Sequence, residues 1–340
     1  MPRYTQSITM KPLTTNRVPN NFDVLRILFA WFVIVSHSYV LNGEGPTDPL
    51  ASLTNGYMIF SFIGVKGFFI ISGYLIFQSL ERSKSLLDYL AKRILRIFPA
   101  LLVVLALTLL VVYFIYPPYH GYYLFQPEIY KYFIGNSILF MPHFFIKGVF
   151  ENQANHAING SLWTIEFEFL FYLVLMCLYP IRKKKGLLKL VLVGILMGLF
   201  IGNIYYLSAI KKIVSPLNLE LIFDLGTYFL MGSLLACFKW EQIPFKTGIT
   251  FISLGVIVTA TILKLNYCWV QLSLPFIIIY LGKQHSKIAT VSHQLLGDPS
   301  YGIYLYGFPV QQFLIYFFKP STLALLISST IISFLIGYIS

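Results

Sequence analysis

Apolar runs of about 20 residues, the length that crosses a bilayer as a helix, recur along almost the whole 340-residue chain. That feature overrides a reading by length alone, which would suggest soluble domains. Only 11% of the residues are charged and 57% are hydrophobic, against about 25% charged in soluble proteins. The chain therefore reads as an all-α, polytopic helical membrane protein. Ten segments qualify as spans: 22–41, 57–80, 99–116, 161–180, 187–207, 219–238, 247–263, 267–282, 299–318 and 322–339. An eleventh apolar stretch, 129–146, contains Lys131, Asn136, Pro142 and His143. It is read as interfacial or re-entrant, because a full span there would reverse everything that follows.

Lysine and arginine bias sets orientation. With the N-terminus in the cytoplasm, sixteen of the 25 Lys and Arg fall in inner segments and six in outer ones. The other three, Arg26, Lys66 and Lys189, lie inside spans. Both termini are therefore expected in the cytoplasm. The formal net charge of +12 is mostly topological and does not point to nucleic acid. Residues 1–21 form a cytoplasmic N-terminal segment, and 22–340 a single transmembrane domain with an outer loop at 117–160. The first span contains Arg26 and His37 and lacks an A-x-A site, so it is not a cleaved signal peptide. No soluble catalytic domain is expected after the last span.

Ionisable side chains inside spans are expensive and mark function. Arg26 and His37 are eleven residues apart, roughly 16 Å of rise and about 20° of rotation on a helix. They share one face, Arg26 near the inner end and His37 near the outer. Such a polar stripe fits a path between the two sides. In the fourth span Glu166 and Glu168 point to opposite faces. The rise per residue puts Glu168 and His37 at comparable depth, where a carboxylate could fix the imidazole tautomer and prepare a general base. Arg93 and Arg96, at i and i+3, share a helix face and suit phosphate oxygens, although positive-inside bias and anionic lipid would also account for them. Small residues Gly64, Gly67 and Gly73 allow close helix approach beside Ser72. Lys66 needs a partner, with Glu166 and Asp224 available. Cys177, Cys237 and Cys268, and the loop histidines His120, His143 and His156, have no metal-ligand spacing. Asn159-Gly160-Ser161 fits a glycosylation sequon but abuts a span and reads as a helix cap.

Five motifs in one order resemble the membrane-bound acyltransferase family 3, the bacterial glycan O-acetyltransferases. Arg26 and His37 are similar to its R-x10-H, and Phe68-Phe69-Ile70-Ile71-Ser72-Gly73 to its F-F-x-x-S-G. Arg93-Ile94-Leu95-Arg96 resembles its R-x-x-R. Leu162-Trp163-Thr164-Ile165-Glu166-Phe167-Glu168 resembles a motif in which Glu168 is the matching acid. Ser300-Tyr301-Gly302-Ile303-Tyr304-Leu305 resembles the late S-Y-x-x-Y-L. Two departures stand out. Many members have an acid where Lys66 stands. Many have His-Trp-Pro where this chain reads Gly307-Phe308-Pro309.

The resemblance implies an O-acetyltransferase of the bacterial cytoplasmic (inner) membrane. Acetyl-CoA would be the cytoplasmic acyl donor, with no metal. The acceptor would be an extracytoplasmic glycan such as O-antigen, other lipopolysaccharide or exopolysaccharide. Arg26, Arg93, Arg96 and Ser72 would serve the donor. His37 would act as general base or transient acyl carrier, oriented by Glu168. Some members carry an appended SGNH hydrolase-like domain, and none is expected here. The acceptor would receive acyl groups from the membrane domain itself, or from a separate protein. The partners implied are acetyl-CoA, glycan and membrane lipid, with no nucleic acid. A lipid-linked glycan flippase is the rival reading, since it too explains polar residues in spans. A non-catalytic scaffold leaves Arg26, His37 and Glu168 without a role that offsets their desolvation.

Overall fold

The computed structural model describes residues 20–115, 126–139, 142–209, 218–290 and 298–339, with the side chains of 205–209 and 241 excepted. Most of the N-terminal segment, and His120 in the outer loop, lie outside the described residues. Regular structure among the described residues is entirely helical. In chain order the helices are α1 (Phe22–Leu41), α2 (Pro49–Leu53), α3 (Phe60–Arg82), α4 (Leu86–Ile115), α5 (Pro127–Ser137), α6 (Trp163–Met176), α7 (Lys185–Ala209), α8 (Leu219–Ala236), α9 (Lys246–Ile262), α10 (Cys268–Lys283), α11 (Ser300–Phe318) and α12 (Thr322–Ile339).

Each of the ten expected spans holds a helix, but six helices are long and apolar enough to cross a membrane by length and composition: α1, α3, α4, the first 20 residues of α7, α8 and α12. The others are limited by length or by polar content. α9 and α10 run only 17 and 16 residues. α11 carries Ser300, Tyr301, Tyr304, Gln311 and Gln312 among its apolar residues. α6 is 14 residues long, preceded by a 3-10 turn at Gly160–Leu162. That turn is tied to the middle of the bundle: Asn159 donates to the Leu305 carbonyl at 3.0 Å and accepts from the Ser161 N–H at 3.1 Å. Leu305 is only five residues into α11, so α6 starts deep rather than at a membrane surface. Asn159 is fully buried, which leaves its sequon inaccessible and makes it a cap and a tether.

α4 differs from expectation in the other direction. The basic segment and the third span form one 30-residue helix that continues through Pro99. Its length of about 45 Å exceeds a hydrocarbon core of about 30 Å, so the turns bearing Lys92, Arg93 and Arg96 extend beyond the apolar portion. α5 has 11 residues with Pro127 opening it, about half the length a span needs.

α3 is the hub, packed against α1, α8, α10 and α6. Glycine explains how it fits. A Cβ on Gly73 would lie 1.9 Å from the Phe229 carbonyl oxygen of α8. One on Gly232 of α8 would lie 2.1 Å from the Ile70 carbonyl oxygen. A Cβ on Gly64 would sit 2.6 Å from the Phe29 carbonyl oxygen of α1. The backbones touch because neither side interposes a side chain, the usual device where lipid offers no hydrophobic drive for helix association. Across the same α3–α8 contact Lys66 forms an ion pair with Asp224, whose other oxygen accepts from Gln271 at 3.0 Å. The rings of Phe62 and Tyr228 lie 5.1 and 5.2 Å from the Lys66 ammonium. Of the two partners open to Lys66 in the sequence, Asp224 is the one used.

α1 and α3 are pinned at one end by Asp48. It caps α2 through the Ala51 N–H at 2.9 Å, accepts from the Phe60 N–H at 3.0 Å, and binds the Ser36 hydroxyl. Ser36 in turn accepts from the Ser61 N–H at 2.7 Å. This fixes the level of His37, the next residue on α1.

Candidate active site

Toward the opposite end of α1 lie two neighbouring cavities that share part of their lining. The wider, a vestibule of about 780 Å3, is bounded by α1, α3, α4, α11 and α12. Five basic side chains, Arg26, Arg82, Lys92, Arg93 and Arg96, face it against one carboxylate, Asp298. The narrower is a neck of about 30 Å3 lined by Val65, Phe68, Phe69, Ser72, Thr164, Ile165, Glu168, Tyr301, Tyr304 and Arg26. Arg26, Ser72 and Tyr301 border both. They stand where the two cavities adjoin, the mouth of the neck.

The arginines are held individually. Arg93 is 8% exposed. It lies between the rings of Tyr89 and Tyr172, each 5.7 Å away, and donates to the Ser79 hydroxyl at 3.2 Å. Both rings lie within cation–π range of the guanidinium. Arg96 donates to Asp298 at 3.0 Å, and Arg26 forms an ion pair with the same carboxylate oxygen. Asp298 also accepts from the Ser300 hydroxyl. One carboxylate thus ties the first helix, the R-x-x-R helix and the start of α11 together. Nothing in the sequence singled out Asp298, because its partner Arg26 is 272 residues away.

Glu168, rather than Glu166, faces the neck. Its Oε1 accepts from the Ser72 hydroxyl at 2.9 Å and from the Tyr172 hydroxyl. The expected partnership between Glu168 and His37 does not form. Ser72 lies eleven residues along α3 from Ser61, the residue bonded beside His37. Because α6 starts deep, Glu168 falls at the Arg26 end of the path. His37 lies farther along, its ring edge-on to Phe308 at 5.1 Å. It is partly accessible, and among the described residues no side chain hydrogen-bonds to it. Gly307 abuts α1, where its Cβ would lie 3.0 Å from Ile34.

α11 runs past both the cavities and His37. Tyr301, Tyr304 and Phe308 follow i, i+3, i+7 spacing, which places them on one helix face. Tyr301 is in the vestibule and the neck, Tyr304 is in the neck, and Phe308 touches His37. The Thr164 and Tyr304 hydroxyls are 2.6 Å apart, and Tyr304 also donates to the Ser161 carbonyl at 3.1 Å. Both side chains line the neck. Arg26, Ser72, Arg93, Arg96 and Glu168 are therefore gathered around the two cavities, and His37, farther along the same helix as Arg26, borders neither of them.

The basic side chains gather in a vestibule within a bundle of apolar helices. The family model described as an acyltransferase domain matches residues 20–340, and the chain belongs to that family. It is a multi-pass membrane acyltransferase, of the O-acetyltransferase kind. An O-acetyl transferase of Shigella phage Sf6 is 31% identical over 316 residues, covering 87% of this chain and 86% of that protein. Nodulation protein 10 of Rhizobium leguminosarum bv. viciae is 35% identical over 170 residues, 48% of this chain and 45% of that protein. The peptidoglycan O-acetyltransferase OatA of Listeria monocytogenes is 26% identical over 297 residues, 73% of this chain and 44% of that protein. No solved structure matches the chain.

Proposed function

We propose that the protein moves an acetyl group from cytoplasmic acetyl-CoA to a hydroxyl of an extracytoplasmic glycan, such as O-antigen or exopolysaccharide, across the bacterial inner membrane. The observation that carries this reading is the junction of a large basic vestibule with a narrow neck at Arg26, Ser72 and Tyr301. A coenzyme A donor is a long polyphosphate with a small reactive tip. The vestibule offers guanidinium forks for phosphate oxygens, and the smaller neck adjoins it. In this reading the vestibule faces the cytoplasm, in keeping with the Lys and Arg bias, and both termini are inside.

In the reaction, the acceptor oxygen bonds to the acetyl carbonyl carbon and the carbon–sulfur bond breaks. His37 takes the hydroxyl proton as general base, and that proton ends on the coenzyme sulfur. Arg93 and Arg96 hold phosphates. Arg26, at the mouth, offers the N–H groups not engaged by Asp298 to the donor, while the acetyl group has to travel the roughly 16 Å along α1 that separates Arg26 from His37 before it is transferred. Glu168 orients the Ser72 and Tyr172 hydroxyls at the donor end, a role that replaces orientation of His37.

Membranes carrying the protein are incubated with acetyl-labelled acetyl-CoA, and glycan is isolated. Label in glycan is the expected result. Glycan relocated without label would favour the lipid-linked glycan transporter and overturn the proposal.

A further inference from the structure

We infer that Gln311 is a positioning residue for His37, fixing the roll of α1 that aims the imidazole. This inference rests on the reading of His37 as the base and deepens it. His37 is flanked on α1 by two buried serines, Ser36 and Ser38, each about 100° around the helix from it. Each serine is fastened to a different part of the bundle. Ser36 donates to Asp48 and accepts from the Ser61 N–H at 2.7 Å. On the other flank, Ser38 accepts from the Gln311 Nε2 at 2.8 Å, and the same nitrogen donates to the Ile34 carbonyl at 2.9 Å. α1 cannot roll about its axis without breaking one attachment or the other, and that roll decides where the imidazole points.

The mount for Gln311 is firm. Gly307 lies one turn before it on the same helix face, and its missing side chain lets α11 close on α1 beside Ile34. The next residue, Gln312, donates to the Asn155 and Ala157 carbonyls of the outer loop at 2.7 and 2.5 Å. α11 is thus gripped by both α1 and the outer loop near His37.

Packing alone is a poor reason for this amide. Gln311 is fully buried, and among the described residues its Oε1 has no hydrogen-bond partner, which is costly. Methionine would fill much the same space. The Ser38 hydroxyl would keep its own bond to the Ile34 carbonyl at 2.9 Å, so no partner would be stranded, and such a swap can be nearly neutral for stability. What methionine would lose is the tether between α11 and α1. Packing and positioning therefore predict opposite results for one substitution.

The test measures acetyl transfer to glycan at varied acetyl-CoA by membranes carrying Gln311→Met, with thermal unfolding of the same variant in detergent. Two hydrogen bonds are lost, so kcat should fall about tenfold, while the donor KM and the unfolding temperature stay close to wild type. Ser38→Ala loses one of the two bonds and should lower kcat about threefold; it carries the test if Gln311→Met fails to insert. Asn203→Leu removes another buried amide, bonded to the Phe223 carbonyl and the Thr227 hydroxyl between α7 and α8, and should leave kcat as it was. A wild-type kcat in Gln311→Met, or in Ser38→Ala where the first variant does not insert, overturns the inference while leaving His37 as the base. An equal fall in Asn203→Leu overturns it as well, since any loosening of the bundle would then suffice. Transfer that persists in His37→Ala overturns the base reading, and the role of Gln311 with it.

Discussion

Replacing Asp298 with asparagine removes one charge from the point where α1, α4 and α11 converge and changes almost nothing in shape. The carboxylate accepts from Arg26 and Arg96 on one oxygen and from Ser300 on the other. A charge-assisted bond contributes about 1.5–3 kcal/mol and a neutral one about 0.5–1.5. The Arg26 side chain is 11% exposed, so its bond should lose about 1 kcal/mol of that difference. The Arg96 side chain is 33% exposed, and water makes up most of its loss, leaving about 0.5 kcal/mol. The sum, about 1.5 kcal/mol, is about tenfold in rate if the guanidinium must be held at the neck mouth. The assay is initial-rate acetyl transfer by Asp298→Asn at varied acetyl-CoA. A fall of about tenfold in kcat is expected, with a donor KM unchanged or lower, because the vestibule becomes more cationic. Asp298→Glu should recover part of the rate, since the charge returns. Glu81→Gln, which breaks only the exposed pair with Lys185, should leave the rate as it was. A wild-type kcat in Asp298→Asn would refute the idea that this carboxylate positions Arg26.

Asp224→Leu strands the buried Lys66 ammonium and should cost about 3–5 kcal/mol, Lys66→Met leaves only the part-buried Asp224 and should cost less, and the double replacement should regain much of the loss; thermal unfolding in detergent checks this, and an Asp224→Leu variant as stable as the wild type would contradict it. Gly73→Ala drives a methyl into the Phe229 carbonyl, so the α3–α8 contact should fail to close; a monodisperse wild-type elution profile would contradict that. Ser72→Ala removes the 2.9 Å bond to Glu168, a charged acceptor worth about 1.5–3 kcal/mol, and should reduce kcat by about tenfold or more with little change in donor KM.

Helix identity was legible in the sequence because lipid demands long apolar runs, and α1, α3, α8 and α12 fall close to the bounds that those runs define. The pairing of Arg26 with His37 on one helix was legible for the same reason, both lying within Phe22–Leu41. Depth was not. Counting rise from Ser161 assumed that α6 begins at a membrane surface, whereas Asn159 anchors its start beside Leu305. Glu168 therefore belongs with Ser72 and not with His37. Partners across the bundle were also hidden. Asp298 carries no local pattern, and only the meeting of α1, α4 and α11 shows what it binds. Tyr301 and Tyr304 stood out as motif residues, but their place in the neck depends on how α11 faces α1 and α6.

Sealed inverted membrane vesicles test the central claim, that one path joins a donor vestibule to an acceptor site at His37 on the other side. Acetyl-labelled acetyl-CoA is added outside, where the cytoplasmic face is turned. Label should appear in glycan enclosed in the lumen for the wild type and be absent for an inserted His37→Ala variant. Equal luminal labelling by that variant, or labelled glycan only on the side of the donor, would contradict the account.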